Sequence, residues 1–471
     1  MGQEITYSHF TPDDFARFSQ RLKAETELLD EWLREGIFSQ SKQVIGYELE
    51  AWLVDEKSKP MPVNQPLLDY LQDPLVVPEL ARFNLEFNST PLRLGGEVFS
   101  NLAKELSDTW GRCSHLANNW GARLAMIGIL PTVVERDLNP DNMSSMQRYQ
   151  ALDEQLRKLR GGAPIELEIR GRDRLSFTHQ DVMLESATTS FQIHLETDSR
   201  LAGRLYNAAK LISAPMVAIA ANSPFLFGAQ LWDETRIALF EQAVQVGGTE
   251  LNKRVTLGRG YVNSIIDCFW ANIDYHRVLL PQLMELPIEQ LAHLRLHNGT
   301  IWRWNRPLVG FNGAGIPHIR IEHRVVPAGP TVTDAIANLA FYTGAVCALA
   351  HQDPPPEAQL PFPSVLDNFY QAARHGLRAE ICWLGSVSGS VAALCERRLL
   401  PLARQGLENL GIGDGEIDYW LGVIAQRLRT GQNGATWQRA WVEKHGPDMR
   451  RLTEAYLKGQ ESGHPVHQWV V

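Results

Sequence analysis

Four short segments of this chain alternate apolar residues with the side-chain types that bind cations and phosphates. In Val44–Val54, Glu48 and Glu50 point one way, and Ile45, Tyr47, Leu49, Ala51 and Leu53 point the other. In residues 82–90, Phe83, Leu85 and Phe87 alternate with Asn84, Glu86 and Asn88. In residues 189–196, Phe191, Ile193 and Leu195 alternate with Ser190, Gln192, His194 and Glu196. In residues 316–325, Ile319, Ile321 and Val325 alternate with His318, Arg320, Glu322 and Arg324. A period of two is that of a β-strand. An antiparallel sheet with one solvated face produces the same alternation. Here, however, the polar positions carry Glu, Gln, His, Asn and Arg in place of the usual Lys, Thr and Ser mixture. Glu48 and Glu50, two residues apart, lie ~7 Å apart on one face at a strand's ~3.3 Å rise. Glu86 and Glu322 on that face would concentrate negative charge, which bound divalent cations neutralise. Arg320 and Arg324 offer forked donors to phosphate oxygens. Carboxylates for Mg²⁺ beside arginines for phosphate imply ATP chemistry. The G-x-x-x-x-G-K-[ST] loop and the protein-kinase residue set are both missing, which leaves a nucleotide site floored by a sheet.

Helices must support such a sheet. Thr11-Pro12 marks a helix start, Phe15, Phe18, Leu22, Leu29 and Leu33 keep helical spacing, and Gly36 closes it. Residues 102–126 and 202–221 read as two more long helices. The uncharged stretch 211–232 contains Pro215 and Asn222-Ser223-Pro224, so it reads as a buried helix running into a loop and not as a membrane span. Residues 351–363 hold five prolines and read as a linker, and 366–457 is mostly helical in pattern.

Taken in order, these segments resemble a known family. Gly46-Tyr47-Glu48-Leu49-Glu50, Leu85-Glu86-Phe87-Asn88-Ser89-Thr90-Pro91 and Thr189-Ser190-Phe191-Gln192-Ile193-His194 carry the likeness. Ala221-Asn222-Ser223-Pro224-Phe225 with Gly228, and Arg320-Ile321-Glu322-His323-Arg324, extend it. The set is similar to the glutamate–cysteine ligase family, in its plant and bacterial carboxylate–amine ligase branches, which share the glutamine synthetase fold. Asn368, Ala373-Arg374-His375-Gly376-Leu377 and Gly434-Ala435 resemble the bacterial branch.

The resemblance implies an α+β fold, with a curved antiparallel sheet forming an active-site funnel flanked by helices. It implies ATP and Mg²⁺ as cofactors, with Mn²⁺ the alternative ion. Glu48, Glu50, Glu79, Glu86, His194 and Glu322 would then be metal ligands. Arg324 would touch the transferred phosphate, with Glu322 beside it at the catalytic centre. Gln192, His194 and Arg320 would contact the nucleotide, and Arg236, Arg306 and Asn88 the substrate. The implied reaction forms a γ-glutamyl amide through an acyl phosphate. Its alternatives are the same chemistry on another acid or amine, a phosphotransferase, and a non-catalytic ATP-binding protein on the same fold. Because the site strands run from Glu48 to Arg324, they must converge in one sheet. Residues 1–350 are therefore expected to form one core, with 364–471 a helical C-terminal extension packed on it.

Composition narrows the partners. The 471 residues carry 45 Lys plus Arg against 54 Asp plus Glu, a net charge of −9, which argues against nucleic acid or an anionic membrane as the main partner. Small-molecule substrates fit better. A hydrophobic share of 44% with 21% charged residues excludes disorder. Five cysteines without a C-x-x-C pair, and an N-terminus without a charged-then-apolar leader, fit a cytoplasmic chain. His293 and His297 form an i, i+4 pair without the Glu of H-E-x-x-H and read as surface histidines. Trp302 and Trp304 straddle Arg303 and read as core or sheet packing, and Cys268 as an inert thiol.

Overall fold

The structure is a computed structural model that describes residues 4–39, 43–247 and 252–471. Its strands, in chain order, are β1 (Val44–Val54), β2 (Val76–Pro78), β3 (Asn84–Asn88), β4 (Leu92–Arg93), β5 (Arg123–Ala125), β6 (Ile165–Arg170) and β7 (Arg174–His179). There follow β8 (Phe191–Thr197), β9 (Phe225–Leu226), β10 (Ala229–Gln230), β11 (Asn305–Phe311), β12 (Pro317–His323), β13 (Glu380–Trp383) and β14 (Val387–Ser390). Among the described residues, β11-β12-β8-β1-β3-β2 form the main path of one curved antiparallel sheet, and β4 and β5 pair with the two ends of β1.

Alternation sets the register. On one face Ile45, Leu49, Leu85, Phe87, Phe191, Ile193, Leu195, Ile319 and Ile321 are all buried. A one-residue slip in any pair would turn these side chains to the polar face, so the apolar pattern fixes which polar residues meet. It places Glu50 opposite Glu86, Glu48 opposite Gln192, His194 opposite Glu322, and Glu322 opposite Arg306. Helices Ala202–Ala220 and Val332–Ala350 pack on each other and reach the sheet. Val332–Ala350 is, among the described residues, the one helix long and apolar enough to cross a membrane, and 83% of its apolar window is buried inside the fold.

The first helix runs Pro12–Glu35 with the expected Thr11 cap, a reciprocal Asp14 capping box and Gly36 in the left-handed region at φ 71°. The second long helix is shorter than its pattern suggested. It ends at Ala117; a turn through Gly121 at φ 69° follows, and Arg123–Ala125 pairs with Trp52, Leu53 and Val54 as β5. Apolar residues that continue the helical pattern are used instead to extend the sheet. Helix Ala202–Ala220 carries Pro215 in its interior and stops before Asn222-Ser223-Pro224, as expected for a buried segment.

After the proline-rich stretch, the hairpin β13–β14 and a series of helices lie against the preceding elements. Helix Leu400–Asn409 approaches Val332–Ala350 so closely that a Cβ on Gly406 would stand 2.0 Å from the Gly344 carbonyl oxygen. His293 and His297 are buried at 1% and 2% exposure, contrary to their expected surface position. Their helix, Ala292–Gly299, is covered by Pro12–Glu35. His293 Nδ1 bonds Glu25 at 2.7 Å, and His297 Nε2 bonds the Asn272 carbonyl at 3.1 Å.

Candidate active site

The polar face of the sheet floors a cavity of about 220 Å³. Its lining takes in Glu48, Glu50, Glu79, Glu86, Gln192, Arg306, Arg320, Glu322 and Arg324 from the expected set. The carboxylates sort into two groups. Glu48, His194 and Glu322 each turn one ligand atom into a space less than 4.8 Å across, and Glu50, Glu79 and Glu86 do the same beside them. The first group sits where β1, β8 and β12 adjoin. The second sits at β1 and β3, with Glu79 one residue past β2.

One hydrogen-bonded line joins the groups. The Ser190 backbone N–H donates to Glu50 Oε2 at 2.6 Å, and Gln192 Nε2 donates to Glu50 Oε1 at 2.8 Å. Gln192 Oε1 accepts from an Arg324 guanidinium nitrogen at 2.7 Å, and the same nitrogen reaches Glu322 Oε2 at 3.3 Å. Arg306 then grips both Glu322 oxygens, at 2.9 and 2.7 Å. Arg324 therefore stands between the two acidic groups, held from both sides.

The electrostatics of the groups differ. Burial alone raises Glu322, but Arg306 and Arg324 overcome it and hold the carboxyl down at about 2. In the second group, burial and the neighbouring carboxylates dominate. Glu50 is pushed up to about 7, Glu86 to about 8, and Glu79 is raised in the same direction. Three buried carboxyls that resist ionising together are fitted by a positive counter-charge. His194 Nε2 is buried without a hydrogen bond, 3.3 Å from Glu48 Oε1. Oxygen donors in both groups, with one imidazole in the first, suit a hard divalent cation.

Two expected substrate contacts lie elsewhere. Asn88 Nδ2 donates to Glu86 Oε1 at 3.0 Å and lies outside the lining. Arg236 is 1% exposed and also outside it. Its Nε donates to Glu234 at 2.9 Å, and its remaining nitrogens donate to the carbonyls of Arg324 and Val325. Arg236 thus anchors the main chain just past β12, behind Arg324, and does not face the cavity. The corner around it is built from residues of the family-like motifs. Glu234 accepts from the Asn222 backbone N–H at 2.8 Å, and Asn222 packs against Gly434, where a Cβ would meet its Oδ1 at 2.0 Å.

The lining also contains residues that spacing did not single out. Arg295 stands near Arg320, whose charge joins burial in lowering it, and Arg320 Nε is buried without a partner. Arg148, Tyr149 and Glu185 line the other end. Trp302 forms part of the wall, whereas Trp304 is core at 0% exposure. The sign that marks Glu185 is a single charge inside the apolar run Val182-Met183-Leu184-Glu185.

The profile of glutamate-cysteine ligase family 2 matches residues 44–455, a span that begins at β1 and takes in all six expected metal ligands. The chain belongs to this family. Membership supports a carboxylate–amine ligase, and the chain's curved sheet agrees with solved structures. The glutamate–cysteine ligase of Francisella tularensis, solved in complex with AMP, superposes with a TM-score of 0.58 at 11% identity, covering 89% of this chain and 90% of that one. A bifunctional glutathione synthetase from Pasteurella multocida gives a TM-score of 0.52 at 12% identity, over 93% of this chain and 55% of that one. At such identities the likeness is one of fold. A comparison with curated proteins finds no match.

Proposed function

We propose that this chain joins the γ-carboxylate of glutamate to an amine at the cost of ATP. The observation that carries the reading is the pair of acidic groups bridged through Gln192 and Arg324 on the floor of one cavity. The glutamate γ-carboxylate attacks the γ-phosphorus of ATP, and ADP leaves. The amine then attacks the acyl carbon of the acyl phosphate, and inorganic phosphate leaves. Glu48, His194 and Glu322 would hold one Mg²⁺, and Glu50, Glu79 and Glu86 a second, and ions held there would neutralise phosphate charge.

The chain's own groups do the positioning. Arg324 offers its guanidinium to the transferring phosphoryl group. Glu322 stays ionised under Arg306 and keeps Arg324 aimed. Arg320, with Arg295 close by, supplies positive charge for the nucleotide phosphates. No side-chain nucleophile is needed, because both bond-forming groups belong to substrates.

ADP release from ATP and Mg²⁺, measured with glutamate and a panel of amines, tests this. Release that requires both acid and amine supports a ligase. Release with the acid alone makes it a phosphotransferase, and none above background with any carboxylic acid sinks both.

A further inference from the structure

Glu185 is the one acid in the cavity that the mechanism above leaves unused. It lies on a six-residue 3₁₀ turn, Val182–Ala187, that leads into β8. Asp181 caps the turn by accepting from the Met183 N–H at 2.9 Å, and the Ser186 hydroxyl donates back to the Met183 carbonyl at 2.7 Å. Val182, Met183, Leu184, Ser186 and Ala187 are all buried. Glu185 alone is half-open, and it opens into the cavity.

Among the described residues, the Glu185 carboxylate makes no hydrogen bond or ion pair. It stands within electrostatic reach of Glu79 and Glu50. A carboxylate so placed is stabilised by an arriving cation. Two kinds of cation could come. A metal is disfavoured, because Glu185 is not part of the close set formed by Glu50, Glu79 and Glu86. The lining at this end is Leu80, Tyr149, Leu152 and Val182, with the Arg148 guanidinium turned to the Tyr149 hydroxyl at 2.6 Å. A hydrated ion gains nothing from apolar walls, whereas a carbon chain ending in an ammonium satisfies wall and carboxylate together.

We propose that Glu185 receives the ammonium group of the acceptor and takes up its proton, leaving the neutral amine that attacks the acyl carbon, and that the acceptor is a primary amine with an apolar substituent. This rests on the ligase reading for its place in a reaction, but binding can be measured without turnover.

The test is calorimetric titration of n-butylamine, methylamine and n-butanol into the full chain with Mg²⁺, glutamate and a non-hydrolysable ATP analogue. Wild type should bind n-butylamine tighter than either control. Glu185→Gln should weaken n-butylamine by about 10- to 100-fold, the range of a hydrogen bond to a charged group, and leave the ATP analogue's affinity unchanged. Equal affinity for n-butylamine and n-butanol in wild type overturns the proposal, and needs no variant to fold. So does an absence of n-butylamine binding, or a Glu185→Gln effect on Mg²⁺ half-saturation with amine binding intact. Glu185-dependent amine binding without ADP release from any acid leaves this inference standing and removes the ligase reading.

Discussion

The second acidic group makes stability depend on pH in an unusual direction. Glu86 is 1% exposed and lies opposite Glu50 across β1 and β3. Burial, together with Glu48 and Glu79, lifts its carboxyl from 4.5 to about 8. The folded pKa is above the unfolded one, so the folded protein keeps a proton that the unfolded chain has released. This contribution to stability is full below about pH 4.5 and is lost as pH rises through about 8. At about 1.4 kcal/mol per pH unit, the span from 4.5 to about 8 corresponds to roughly 5 kcal/mol. Glu50, raised to about 7, acts in the same direction within the same site. For 471 residues at about 2.1 cal/mol/K each, the unfolding entropy is near 1 kcal/mol/K, so the effect is about 5 °C in Tm.

Glu86→Gln removes the titration. In chelator, thermal melts at about pH 5.5 and about pH 8.5, which take in about 2.5 of those pH units, should show wild type losing about 3 °C relative to Glu86→Gln. Mg²⁺ at the higher pH should restore wild type and help the variant far less, because the ion supplies the missing counter-charge. Parallel pH profiles for the two proteins, or an equal Mg²⁺ gain in both, would refute the reasoning from the acidic group to the cation.

Arg306→Met removes the two hydrogen bonds from Arg306 to Glu322 and leaves only that from Arg324, so ADP release should fall by about 100-fold or more and its acid limb should move to higher pH; an unchanged rate would separate Glu322 from the chemistry. Arg236→Met leaves Glu234 buried at 0% exposure without its guanidinium, and denaturant unfolding should show a loss of about 3–5 kcal/mol. A loss under about 1 kcal/mol would contradict the anchoring role. Gly434→Ala would press a methyl group into Asn222 Oδ1, and the same measurement should show a cost of about 1–3 kcal/mol.

The polar face was legible in the sequence because sheet geometry has a short memory. With a period of two, polar residues at 48 and 50, 86, 192 and 194, and 320, 322 and 324 must leave the same side as long as the intervening residues are apolar. Convergence of those strands follows from the same apolar face, which has to be covered once and together. Periodicity does not say which charges neutralise one another. Arg306, Arg320, Arg324 and Arg236 are one residue type, yet the first is clamped on Glu322, the second keeps a bare Nε, and the last serves three main-chain and carboxylate acceptors behind the sheet. A helical pattern likewise cannot report that a neighbouring edge will claim its end. Leu124 and Ala125 are apolar either way, and β1 offered residues 123–125 a partner.

Arg236 also ties motifs far from the cavity to it. Its guanidinium holds the carbonyls of Arg324 and Val325, so it fixes where the strand ends and where the Arg324 side chain begins. Glu234 orients Arg236 and in turn receives the Asn222 N–H. Asn222 must sit where Gly434 leaves room, and Gly376 at φ 54° leaves room for Asp233, whose Oδ2 a Cβ would meet at 2.4 Å. The tail residues at 376 and 434 are thus linked by contact to the guanidinium between the two acidic groups. A change at Gly434 should therefore disturb ADP release as well as stability. Raising stability by an unrelated route, such as a stabilising osmolyte, should recover the fold before it recovers the rate. Recovery of both in step would mean that the corner only supports the fold and does not aim Arg324.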